Sequence, residues 1–118
     1  MPRLTVEVIT ESEQYVNAVK DRELNLRAKK IPAIENLGAT LDQFDTIDFS
    51  DNDICRLDGF PLLKRLKTLI LNNNRICRFA EDLNLSLPNL DTIILTNNTM
   101  QELVCIEFMI FNDRNTNE

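Results

Sequence analysis

Residues 66–76 read Leu-Lys-Thr-Leu-Ile-Leu-Asn-Asn-Asn-Arg-Ile. Leucine or isoleucine stands at 66, 69, 71 and 76, with Asn74 between the last two. Leu69 and Leu71 alternate with outward positions, which suits a short strand buried on one face. Asn74 falls where such a strand must turn. Its amide is positioned to satisfy backbone groups that would otherwise be buried without partners. Ile76 returns to the apolar side.

The same phase recurs upstream at Phe44, Ile47, Phe49, Asn52 and Ile54, and downstream at Leu90, Ile93, Leu95, Asn98 and Met100. Further columns extend it. Leu41, Leu63 and Leu87 precede the first apolar position by three, and Leu57, Phe79 and Leu103 follow the last by three. A weaker unit comes first, with Leu24, Leu26, Ile31 and Ile34, where Lys29 replaces the asparagine and Asp21 takes a leucine position. The asparagine-slot positions 29, 52, 74 and 98 recur every about 22 to 24 residues, a leucine-rich-repeat period. The expected fold is therefore α/β: a leucine-rich-repeat solenoid with short parallel strands on its concave face and helical or irregular connections behind. Asn52, Asn74 and Asn98 are its expected structural asparagine ladder.

Length and composition fit one such domain. The chain has 118 residues, 43% of them hydrophobic, with no Trp and only 6% aromatic, so the core rests on Leu and Ile. A net charge of -6 argues against indiscriminate coating of nucleic acid; an RNA contact needs a local basic patch. Arg3, Glu7 and Glu11 interrupt any leader-like stretch, so no export signal is expected. No apolar run approaches the roughly 20 residues of a membrane-spanning helix, and no membrane partner is expected. Three cysteines, an odd number, suit a reducing compartment better than a disulfide framework.

Residues 1–19 are expected to cap the solenoid, whose first repeat has no neighbour to cover it. Thr5 is placed to start a short helix carrying Val6, Val8 and Ile9, and Thr10-x-x-Glu13 has the form of a capping box. Residues 20–103 hold about four repeats. Within 20–30, five basic residues face two acidic ones, either as a solvated face or as a phosphate-contacting patch. Residues 104–118 are expected to form a degenerate fifth strand and a frayed tail. There Ile106, Met109, Phe111 and Arg114 repeat the strand spacing after a shortened connection, either as a real strand or as an improvised end.

Catalytic chemistry is hard to write. Histidine is absent, and Gly38 and Gly59 are the only glycines, too few for a phosphate-cradling loop. Asp48, Ser50 and Asn52 alternate as in a calcium loop, but Asp53 and Gly59 stand where Gly and Glu are required. Three cysteines without histidine make no zinc set, so no metal, cofactor or small-molecule substrate is expected. What remains is a binding surface. Its exposed strand positions are expected at Thr46, Asp48 and Ser50; Thr68, Ile70 and Asn72; Thr92, Ile94 and Thr96. Ile70 and Ile94, adjacent and ringed by polar residues, have the make-up of a small apolar anchor with a polar rim.

The blocks ENLGATLDQFDTIDFSDN (35–52) and LDGFP (57–61) to NNNRICR (72–78) resemble the A-prime subunit family of the spliceosomal U-two small nuclear ribonucleoprotein. The similarity covers roughly residues 4–103. It implies a non-enzymatic nuclear scaffold in pre-mRNA splicing. It also implies a partner of the B-double-prime, RNA-recognition-motif type, with a helix resting on Asp48, Ile70, Asn72, Ile94 and Thr96. A U-two snRNA stem-loop held by the pair would lie near Lys20, Arg22, Arg27 and Lys29. Members continue with a full fifth repeat, a cap and a basic extension, so this chain reads as a C-terminally shortened or divergent form. The alternative is a generic intracellular leucine-rich-repeat adaptor, of phosphatase-regulatory or ciliary type, with no RNA role.

Overall fold

A computed structural model describes residues 2–98. The expectations for Met100, Leu103 and residues 104–118 lie outside the described residues. Each repeat contributes one short strand to a parallel sheet: β2 (Arg22–Asn25), β3 (Thr46–Asp48), β5 (Thr68–Ile70) and β7 (Thr92–Ile94). The register aligns Leu24, Ile47, Leu69 and Ile93 in one row, and all four are buried. Leu26, Phe49 and Leu71 continue the same inward alternation and are fully buried. The chain is an α/β leucine-rich-repeat solenoid.

The N-terminal edge is closed by two elements. Helix α1 (Val6–Glu11) starts at Thr5, whose hydroxyl accepts from the Val8 amide at 3.2 Å, and it buries Ile9. The capping box expected at Thr10 does not form. Thr10 lies inside α1, its hydroxyl donating to the Glu7 carbonyl at 3.1 Å. Ser12 ends the helix, and β1 (Gln14–Val16) pairs antiparallel with β2, Tyr15 facing Glu23. The reversal between them is built on Asn17, whose side-chain oxygen accepts from the amides of Val19 and Asp21.

On the return path, a 3-10 turn (Leu37–Thr40), a two-stranded parallel pair β4 (Arg56–Leu57) and β6 (Arg78–Phe79), and helix α2 (Leu83–Ser86) differ from repeat to repeat. The column of Leu41, Leu63 and Leu87 is only partly realised. Leu63 and Leu87 are buried, but Leu41 is 74% exposed in a left-handed conformation with φ of 55°. In that repeat Leu37 fills the core and the buried Thr40 hydroxyl donates to the Leu37 carbonyl at 2.7 Å, so the turn closes before Leu41 can enter. Gly59 needs to be glycine: its φ is 80°, and a Cβ there would lie 2.2 Å from the Ile34 carbonyl oxygen.

Charged side chains tie repeats along one edge of the sheet. Asp45 accepts from Arg65 at 3.0 and 3.3 Å and from the Arg22 amide at 2.9 Å. Lys67 reaches back to Asp21 at 3.1 Å, which gives a role to an acid standing in a leucine slot. The Arg65 guanidinium holds the Asp45 carboxyl below its ordinary range, with the Arg22 amide adding to the effect.

Candidate functional site

The concave face is read as three rows of side chains across the repeats. The first row is Glu23, Thr46, Thr68 and Thr92, and the second is Asn25, Asp48, Ile70 and Ile94. The third is Arg27, Ser50, Asn72 and Thr96, two residues further along each strand. Behind them the asparagine ladder fixes the turns. The Asn52 amide group donates to the carbonyls of Leu26, Phe49 and Ser50, and its oxygen accepts from the Lys29 and Ile31 amides, both at 3.0 Å. Asn74 bridges to Phe49, Leu71, Asn72 and the Ile54 amide, and Asn98 to Leu71, Thr96 and the Ile76 amide. Each asparagine satisfies backbone groups of its own turn and of the neighbouring repeat, which is why strand spacing and direction hold along the array.

The face is divided in character. At its C-terminal end Ile94 is 38% exposed, Ile70 is half-buried beside it, and Asn72 and Thr96 flank them. The Thr96 amide donates to the Asn72 side-chain oxygen at 3.0 Å. At its N-terminal end the expected exposure fails. Asp48 is only 8% exposed, and Thr46 and Ser50 are buried. Asp48 accepts from the Ser50 amide at 2.9 Å, while the Arg27 guanidinium lies 3.9 Å from its other oxygen. Asp48 thus stands in a buried polar group rather than as an open rim residue.

The four basic residues expected near RNA do not share one free surface. Arg27 pairs with Asp51 at 2.9 Å on the sheet side. Arg22 donates to Gln14 at 3.1 Å and lies over the Phe44 ring, 5.1 Å from its centroid. Lys29 lines a cleft with Pro2, Arg3, Val8, Glu11 and Ser12. Lys20 is exposed in the β1–β2 turn, with φ of 65°.

Two groupings escaped the sequence reading. Asp51, Asn73 and Asn97 occupy left-handed turn positions in successive repeats and are chained side chain to side chain, at 2.7 Å and 2.9 Å. Their recurrence just before each ladder asparagine was the available signal. Arg27, and to a lesser degree Asn73, holds the Asp51 carboxyl below its ordinary range. The second grouping is Tyr15, Asn17 and Glu23. The Tyr15 hydroxyl and the Asn17 amide group donate to the two oxygens of the 7%-exposed Glu23. The Glu23 hydrogen bond, then partial burial, push the Tyr15 phenol up to about 12. No cluster of three or more metal-ligating side chains occurs among the described residues.

Comparison with known proteins agrees with this geometry. A leucine-rich repeat family model matches residues 1–114. The U2 small nuclear ribonucleoprotein A' of Homo sapiens is 67% identical over 103 residues, covering 87% of this chain and 40% of that protein. The probable A' protein of Drosophila melanogaster is 59% identical over 110 residues, covering 93% of this chain and 42% of its own length. Among solved structures, a chain of the Drosophila melanogaster SNF/U2A' complex superposes with a TM-score of 0.85 at 63% identity, covering 91% of this chain and 62% of that one. The chain thus spans about two fifths of the length of the curated relatives it matches. It belongs to the leucine-rich repeat family, and within that family it is similar to the U2 small nuclear ribonucleoprotein A' proteins.

Proposed function

We propose that this chain is a non-catalytic scaffold of the U2 small nuclear ribonucleoprotein, acting in the nucleus in pre-mRNA splicing. Its concave face receives an RNA-recognition-motif protein of the B-double-prime type, and the pair holds a U2 snRNA stem-loop. The observation that carries the reading is the apolar pair Ile70 and Ile94, side by side on β5 and β7, half-buried and exposed respectively in an otherwise polar face. An apolar stripe of that width, bordered by Asn72 and Thr96, suits one face of a partner helix. The neighbour of known structure, a complex of SNF with U2A', supports a protein partner for this fold. Asn72 and Thr96 then serve as polar flanks, while the buried Asp48 holds the adjoining turn through the Ser50 amide. Lys20, exposed in the β1–β2 turn, is the basic residue of the N-terminal repeat proposed to meet RNA; Arg27 is already engaged by Asp51.

Co-elution of the chain with the RNA-recognition domain on a sizing column, with and without the stem-loop RNA, tests the proposal. A stoichiometric complex is expected. Ile70→Asp together with Ile94→Asp should weaken it at least about a hundredfold, because each central anchor carries about 2 kcal/mol or more. The circular dichroism spectrum should stay unchanged. A folded, soluble chain that does not bind sinks the splicing reading and leaves a generic adaptor.

A further inference from the structure

Cys55 and Cys77 occupy equivalent positions of successive repeats, immediately before β4 and β6. Both thiols are free and exposed. The two backbones are hydrogen-bonded at this point: the Cys77 amide donates to the Cys55 carbonyl at 3.0 Å. The Cys77 thiol leans over the same carbonyl at 3.6 Å, while the Cys55 thiol rests on the Asp53 carbonyl at 3.8 Å. Parallel neighbours lie about 4.8 Å apart, inside the roughly 4.4 to 6.8 Å that a disulfide tolerates between Cα atoms. For the sulfurs to meet, the Cys55 side chain must turn away from Asp53.

One residue further along, Arg56 and Arg78 stand in register on β4 and β6, both exposed. Like charges directly opposite each other are unfavourable, and neither arginine has an ion pair among the described residues. Asp58 and Glu81 share the cleft beside them without reaching either guanidinium at ion-pair distance. Both guanidiniums thus stay available beside the thiols to meet a carboxylate of an anionic oxidant.

We propose that Cys55 and Cys77 form a reversible redox site, oxidised by a low-molecular-weight anionic disulfide of the glutathione type to a bond that staples two successive repeats. One thiol gives its proton to solvent and its sulfur attacks glutathione disulfide, forming a mixed disulfide and expelling one glutathione thiolate. The second thiol, likewise deprotonated, attacks the protein sulfur of that mixed disulfide. The Cys55–Cys77 bond forms and the second glutathione thiolate leaves. Both thiolates take up protons, so the two electrons lost by the protein dithiol reduce one glutathione disulfide to two glutathiones.

The test uses the full chain carrying Cys105→Ser, which removes the third thiol, a residue outside the described region. After incubation with excess glutathione disulfide, both thiols should disappear in a thiol titration. The intact mass should fall by two hydrogens with no glutathione adduct. A peptide map should show Cys55 joined to Cys77, and reductant should restore both thiols. Cys55→Ser in the same background should instead hold glutathione on Cys77. Persistence of both thiols, stable adducts on the two-cysteine chain, or a disulfide-linked dimer as the product would each overturn the proposal. Circular dichroism of the reduced proteins keeps misfolding apart from lack of reactivity; both sites are on the surface.

Discussion

Asn52 shows how one side chain holds two repeats together. It is 5% exposed, and its amide satisfies backbone groups of the Leu26–Ile31 turn as well as its own. Alanine there would leave several buried carbonyls and amides without partners. Each such group costs about 1 to 3 kcal/mol, partly relieved where water enters. Asn52→Ala should therefore lower unfolding stability by about 3 kcal/mol or more in urea denaturation. Asn98→Ala should cost less, because Asn98 is only half-buried. Equal losses at the two positions would show that the ladder is not what sets turn stability.

The β1–β2 hairpin offers a test at the level of an element. Tyr15 is the only tyrosine in the chain, so its absorbance reports this hairpin alone. Its phenol is held neutral by donating to the Glu23 carboxylate, and it is raised from 10.0 to about 12. A raised folded-state value means the contribution to stability is complete below pH 10 and is lost as pH climbs toward 12. Tyrosinate absorbance should accordingly rise near pH 12, and Glu23→Gln should move that rise down toward the ordinary range. A wild-type transition near pH 10 would show that the hairpin contact does not persist in solution. This element was only half legible beforehand. Thr5 and the apolar run after it announced α1, because helix caps act locally. Thr10 and Glu13 misled, since an antiparallel pairing with β2, a contact distant in sequence, outweighs a local cap signal. The Asn17 to Asp21 turn was the overlooked sign of a hairpin. The strand rows were legible because alternation and period are written directly into the chain. The burial of Asp48 was not, because it depends on contacts distant in sequence, among them Arg27 of the preceding repeat. Nor was the exposure of Leu41, which depends on where a 3-10 turn closes.

At the scale of the molecule, the row Leu24, Ile47, Leu69 and Ile93 makes each repeat the floor of the next. Stability in such an array is roughly a sum of repeat terms and neighbour interfaces. A short array with strong interfaces unfolds as one unit, whereas weak interfaces let it fray from an end. The cross-repeat ties here favour strong interfaces: Asn52 and Asn74 span neighbouring repeats, Asp45 joins Arg65, and Lys67 reaches Asp21 two strands away. Leu69, fully buried in the middle of the row, is the place to test this. Leu69→Ala removes core contacts on both sides and should cost about 2 to 5 kcal/mol. Two signals can follow the loss. Far-ultraviolet circular dichroism reports all repeats, and with no tryptophan present the fluorescence of Tyr15 reports the N-terminal edge. If the interfaces dominate, both signals change at one urea concentration in the wild type, and both midpoints fall together in Leu69→Ala. A Tyr15 midpoint that stays in place while the circular dichroism midpoint falls would mean that the N-terminal repeats stand alone. The concave face would then be assembled from separately stable pieces, and Ile70 and Ile94 could be lost from it without disturbing the hairpin at the other end.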